Sequence, residues 1–172
     1  MGERDFKSAV KKERFKIVPA SYLVLIEDGK ILMLRRFNTG FEDGKYGLVS
    51  GHLDGGETFR ETMVREAREE ANITLCAEDL EVVHVLNRHV IFNDVGHRER
   101  VDLFIRPGKW EGKIKNMEPD KCDDLSWFPI DSLPGNTIPV CTIGDRKYPQ
   151  RNFLQRIRLV NLRPRDNPWA EK

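Results

Sequence analysis

Apolar residues fall into a few dense runs separated by charged, glycine-bearing stretches. Ile17 to Ile26 is rich in branched and aromatic side chains and reads as a strand. Glu27-Asp28-Gly29-Lys30 contains Asp-Gly, a strong hairpin signal, so Ile31 to Arg36 reads as the returning partner. Tyr46 to Val49, Leu80 to Leu86, Arg100 to Ile105 and Ser126 to Ile130 read as further strands. Pro107 to Asp124 reads as a long charged connection. The period becomes helical over Thr58 to Ala71, where Met63, Val64, Ala67 and Ala71 share one stripe. Thr58 with Glu61 forms a capping box, and Asn72 suits the left-handed residue that ends a helix. A second helix is expected over Tyr148 to Leu162, with Pro149 in its first turn. Strands and helices in this order predict an α+β fold, an α/β/α sandwich around a mixed β-sheet. Residues 1–16 read as a polar arm or first helix, 17–162 as the domain and 163–172 as a C-terminal tail.

Composition narrows the class. The 172 residues fit one domain, and 39% hydrophobic content is too high for a disordered chain. The formal net charge of +1 excludes a protein built throughout to coat nucleic acid. No apolar run reaches the ~18 residues of a membrane span, and the charged N-terminus lacks the apolar core of a secretory signal. Cys76, Cys122 and Cys141 are far apart and lack metal-ligand spacing, so reduced thiols in a cytoplasmic protein are expected. The four histidines (His52, His84, His89, His97) make no zinc pattern.

Charge spacing says more than charge balance. Glu66, Glu69 and Glu70 stand at i, i+3 and i+4 and share one helical stripe. Three like charges there weaken an isolated helix, which a divalent cation between them offsets. Oxygen-only ligands suit Mg²⁺ or Mn²⁺. An acidic stripe alone is more often a solvated face. Here Gly51, Gly55 and Gly56 precede it, letting the backbone approach a ligand, and the loop feeds a helix N-terminus that favours anions. Arg65 is placed to grip Glu57 and hold this loop against the helix.

Taken together, Gly51, Glu57, Arg65-Glu66, Ala67 and Glu69-Glu70 at these spacings resemble the signature of the Nudix hydrolases, MutT-like enzymes, over Gly51 to Ile73. Asn72 stands where the family usually has glycine, and Val49-Ser50-Gly51-His52 where many members read Leu-Pro-Gly-Gly. The hairpin, the turn Asn38 to Lys45 and the stretch Trp127 to Pro134 also look like parts of a Nudix domain, so the resemblance covers about Lys16 to Leu162.

The resemblance implies a Nudix fold and hydrolysis of a nucleoside diphosphate linked to a group X. Water attacks a phosphorus with Mg²⁺ or Mn²⁺ assisting. Glu66, Glu69 and Glu70 would ligate metal with the Gly51 carbonyl, while Glu57 and Arg65 orient the loop. The base would be Glu66 or an outside acid, Glu118 or Asp120; the catalytic set is thus Glu66, Glu69 and Glu118. Candidate substrate contacts are Arg36, Phe37, Asn38, Tyr46 and Trp127, with Phe41 and Phe92 as further stackers and Asn87, Asn93 and Asp124 as edge readers. For any one of these aromatics, core packing is the commoner role. The lack of an extra domain leans toward a nucleoside triphosphate, such as an oxidised purine, cleaved to NMP and pyrophosphate. ADP-ribose, dinucleoside polyphosphates and sugar nucleotides stay open.

Two other classes compete. A non-catalytic Nudix domain that senses a nucleotide or RNA would not need the intact carboxylates. An isoprenoid diphosphate isomerase would need a site cysteine, and only Cys76 lies near. Nucleic acid is disfavoured as a partner, although Asp145 to Lys172 holds eight basic residues against three acids. A homodimer is the expectation for a small enzyme.

Overall fold

Asp28 and Gly29 both adopt positive φ (47° and 73°), the backbone of the two-residue turn that Asp-Gly favours. The chain therefore reverses where its sequence predicts. The structure is a computed structural model that describes residues 15–92 and 96–142. The helix expected over Tyr148 to Leu162, nearly all of the arm 1–16, the tail 163–172 and Asn93 lie outside the described residues.

In chain order the elements are β1 (Val18–Leu23), β2 (Ile26–Glu27), β3 (Lys30–Arg36), β4 (Tyr46–Gly47), β5 (Ser50–His52), α1 (Phe59–Ala71), β6 (Ile73–Thr74), a 3₁₀ turn (Ala77–Asp79), β7 (Leu80–Phe92), β8 (Gly96–Pro107), β9 (Glu111–Gly112), β10 (Cys122–Pro129) and α2 (Pro139–Thr142). One sheet runs β5-β1-β8-β7; β1 is parallel to β8 and the other pairs are antiparallel. A second, antiparallel sheet runs β10-β3-β2, with β4 also on β3. The fold is thus α+β with a mixed sheet.

The single strand expected over Ile17 to Ile26 is two strands in two sheets. Val24 N–H donates to Ile105 O (2.8 Å) in the first sheet, whereas Leu25 O accepts from Leu32 N–H (3.0 Å) in the second. Val24 and Leu25 are buried at this crossing, so the apolar run shows no break. Alternate residues bury both faces. Tyr22, Val24, Ile31, Met33 and Phe104 form one cluster, to which α2 adds Cys141. Leu23, Leu25, Leu32, Leu34 and Ile105 form the other, against Met63, Ala67 and Ala71 of α1. Two covered faces explain why these strands read as continuous apolar runs.

Polar residues concealed three features. The β7–β8 hairpin extends past both expected strands, with Arg88 opposite Arg100. The charged connection holds β9, which pairs with β6. Strand β10 begins at Cys122 rather than Ser126. Among the described residues no helix is long and apolar enough to cross a membrane.

Helix α1 begins and ends on side-chain chemistry. Thr58 N–H donates to Glu61 Oε2 (2.7 Å), and Glu61 N–H donates to Thr58 Oγ1 (3.3 Å). Asn72 takes the left-handed conformation (φ 58°, ψ 37°), and its Nδ2 donates to Lys113 O (2.9 Å). Asparagine therefore does glycine's work here and adds a tie to the segment before the second wall of the cleft. Thr58→Ala should lower the unfolding free energy by about 1 kcal/mol. Phe104→Ala, at a fully buried position, should lower it by about 3–5 kcal/mol; urea denaturation measures both.

Candidate active site

The i, i+3, i+4 spacing sets Glu66, Glu69 and Glu70 on one side of α1, and all three line a cleft of about 890 Å³. Arg65 organises them. Its Nη1 donates to Glu66 Oε1 (2.6 Å) and Glu69 Oε2 (3.1 Å). Its Nη2 and Nε donate to the two oxygens of Glu57 (2.8 and 3.2 Å), and Nη2 also reaches His52 O (3.2 Å). Glu57 further accepts from Asp54 N–H (2.7 Å) and Thr62 Oγ1 (2.9 Å). The Arg65 guanidinium, then these donors, hold the Glu57 carboxyl down to about 2. The glycine-rich loop is pinned to the helix by one fully ionised pair.

Gly51 has no room for a side chain. A Cβ there would lie 1.7 Å from Glu66 Oε1. Beside it, Ser50 N–H donates to Glu70 Oε2 (3.0 Å). Burial pushes the Glu70 carboxyl up to about 8, against the pull of that donor. Burial also raises Glu66, against the pull of Arg65. Among the described residues no group of three His, Cys, Asp or Glu side chains converges to hold an ion. The hydrogen bonds give the reason: Arg65 draws Glu66 and Glu69 to itself, and Ser50 holds Glu70. In kind and place the donors suit a hard divalent cation, being carboxylate oxygens on one cleft wall.

The facing wall is fastened to the end of α1. Lys115 and Met117 N–H donate to the Ala71 and Glu70 carbonyls (3.1 Å each), occupying acceptors that a helix C-terminus leaves open. Asn116 accepts from Glu118 N–H (3.0 Å) and donates to Cys122 O, closing a turn. That turn puts Glu118 in the cleft, with Lys121 Nζ 2.8 Å from its Oε1. Asp120 is exposed and is not among the lining residues.

Of the residues singled out in the sequence, Gly51, Arg65, Glu66, Glu69, Glu70, Glu118, Arg36 and Asn38 line the cleft. Glu57 sits behind it on Arg65. Three expected substrate contacts lie elsewhere. Tyr46 is core: it packs edge-on against Phe128 (4.8 Å) and donates its hydroxyl to Asp124. Trp127 pairs with Leu32 and packs into the cluster under α1. Phe37 is half exposed, outside the lining. The expected stacker that does line the cleft is Phe41, with the Arg36 guanidinium 5.5 Å from its ring centre and Arg36 Nε donating to Phe41 O (2.7 Å). Of the edge readers, Asn87 is exposed outside the lining, Asp124 is engaged by Tyr46 and Ser126, and the Phe92 side chain lies outside the described residues.

Sequence reasoning missed the far wall, where Tyr22, His52, Arg88 and Arg100 line the cleft around buried Asp102. A signal was present. Arg100 and Asp102 alternate with Phe104 on one strand face, which places an acid inside an apolar strand.

A family model described as NUDIX domain matches residues 17–150. The chain is 28% identical over 125 residues to an NAD-capped RNA hydrolase NudC of Chromobacterium violaceum, covering 73% of this chain and 43% of that protein. It is also 28% identical over 115 residues to an oxidized purine nucleoside triphosphate hydrolase of Danio rerio, covering 65% and 66%. The chain thus spans less than half of the first relative and about two thirds of the second. A crystal structure of a MutT NUDIX hydrolase from Burkholderia pseudomallei superposes with a TM-score of 0.65 at 23% identity, covering 87% of this chain and all of that one. At that identity the likeness shows the fold.

The first outcome concerns the protein free of metal, the second its binding of a cation. Glu70 carries a folded pKa of about 8 against an ordinary 4.5, so the folded state keeps a proton that the unfolded chain has lost between those values. Stability should therefore fall as pH rises from about 5 to about 8, and Glu70→Gln should remove most of that slope in urea titrations with chelator. Gly51→Ala drives a methyl into Glu66 and should expel that carboxylate, cutting divalent-cation affinity by about tenfold or more in calorimetry.

Proposed function

The chain belongs to the NUDIX domain family, and from that premise we propose that it is a divalent-cation-dependent hydrolase of a nucleoside diphosphate linked to a further group X. The observation that carries this reading is the gathering of Glu66, Glu69, Glu70 and Glu118 on one cleft beside a glycine with no room for a Cβ. Mg²⁺ or Mn²⁺ would be held by Glu66, Glu69 and Glu70 with the Gly51 carbonyl. When bound, such a cation supplies a Lewis acid that lowers the pKa of a water and neutralises charge on the phosphate oxygens.

The chain's own residues do the rest. Arg65 fixes the helix against the loop and shields the carboxylates from one another. Glu118, anchored on the opposite wall, accepts the proton that water loses as its oxygen bonds to phosphorus and the anhydride P–O bond breaks; Glu66 is the other candidate. Phe41, backed by Arg36, offers a face for a base at the cleft rim, and Asn38 an amide for its edge. A nucleoside triphosphate, an oxidised purine among them, is the substrate this reading favours, with NMP and pyrophosphate as products. The likeness to the Danio rerio hydrolase supports that choice.

Incubation with Mg²⁺ and a nucleotide panel should give NMP and pyrophosphate, or a phosphorylated X, at rates that rise toward mildly alkaline pH. Glu69→Gln should slow turnover by orders of magnitude while Thr58→Ala leaves it near wild type. Unchanged rates in both Glu69→Gln and Glu70→Gln would remove the metal-site assignment. Tight nucleotide binding without cleavage would instead favour a sensor.

A further inference from the structure

Arg88 on β7 and Arg100 on β8 are direct cross-strand partners. Like charges placed opposite each other destabilise a sheet. Asp102, fully buried, lies between them: it accepts from Arg88 Nε and from Arg100 Nε and Nη2 (3.3 Å each). One carboxylate against two guanidiniums leaves the trio one positive charge in excess. Neutral groups orient the arginines further without cancelling that charge. Arg88 Nη2 donates to Tyr22 Oη (3.4 Å), and Arg100 Nη1 lies 2.9 Å from His52 Nε2. An apolar set of similar volume would often hold a sheet as well as a buried ion network or better. Two fixed guanidiniums facing a cleft are better matched to a ligand than to stability alone.

Their place in the cleft defines that ligand. His52 pairs with Ala20, and Ala20 with Asp102, so two strand spacings, on the order of 10 Å, separate the backbone at His52 from that at Asp102, and the Arg100 side chain spans the gap to the His52 ring. The same cleft therefore has an acidic wall, where Glu66 abuts Gly51, and a basic wall. Resting on the hydrolase reading above, we propose that Arg88 and Arg100 bind an oxyanion, a phosphate or carboxylate of the X group, other than the diphosphate that is cleaved. Asp102 is their positioning residue. A diphosphate held at the acidic wall through a cation, and a second oxyanion held at the arginine pair, would fix the direction in which the substrate lies.

The test begins with metal-free wild-type protein labelled with ¹⁵N at arginine and titrated with inorganic phosphate, with acetate in a parallel arm. The Arg88 and Arg100 Nε–H signals should shift saturably, while that of Arg35, paired with Asp123, stays put. A response to phosphate, to acetate or to both tells which oxyanion the pair takes. Arg88→Gln and Arg100→Gln should each weaken binding by about tenfold, the scale of one charge-assisted hydrogen bond, and Arg100→Lys should restore part of it. With diphosphate substrates whose X is charged or neutral, both glutamine variants should raise KM for charged X alone and leave kcat in place. No shift with either anion, or equal KM losses for neutral X, overturns the proposal, and the wild-type titration decides even if a variant fails to fold. The titration needs no turnover, so anion binding at the pair without diphosphate cleavage would count against the hydrolase reading and not against the pair.

Discussion

Three carboxylates projected from one side of a 13-residue helix repel one another, and the Arg65 guanidinium counters that repulsion from within the same helix. Its planar fork serves Glu57, Glu66, Glu69 and the His52 carbonyl at once, a geometry that a lysine ammonium does not match. The glycine-rich loop is consequently fixed to α1, and Gly51 is fixed against Glu66. Glu57, Glu66 and Glu69 are thus placed by this one side chain, and Glu70 by Ser50 N–H. A cation entering between the carboxylates competes with Arg65 for Glu66 and Glu69 and with a proton for Glu70.

The remaining walls are set by backbone. The end of α1 offers carbonyls that Lys115 and Met117 fill, and this carries Glu118 across from the stripe. The sheet supplies the basic wall, through the register that sets Arg88 opposite Arg100 and Ala20 opposite Asp102. Acidic and basic walls are thus held by different parts of the fold, one by helix periodicity and one by strand pairing. A chain with a net charge of +1 conceals this polarity completely.

Helix-borne features were the most legible in the sequence, because a fixed angle per residue turns spacing into geometry. Glu66, Glu69, Glu70, the Thr58–Glu61 box and the Asn72 end all lie within one local element. Strand-borne features were not legible, since the face a residue takes depends on partners far away in the chain. Tyr46 and Trp127 looked like stackers, yet their pairing with β3 turns them into the core. Phe41 escapes that rule because it stands on a loop, held by Arg36. The strand switch at Val24 and Leu25 was invisible for a related reason: both sheets bury those residues equally, so hydrophobicity does not change as the chain crosses. Arg88 lies beyond the strand expected over Leu80 to Leu86 and Arg100 opens the one expected over Arg100 to Ile105, and only the hairpin register sets them opposite each other.

A divalent cation seated on the acidic stripe is the central proposal. The most direct measurement is Mn²⁺ binding followed by electron paramagnetic resonance at pH 7.5 in wild-type protein and in a Glu69→Gln, Glu70→Gln double variant. Saturable binding is expected in the wild type and affinity at least about tenfold weaker in the double variant, with the fold intact by circular dichroism. Equal affinity in the two proteins would contradict the proposal.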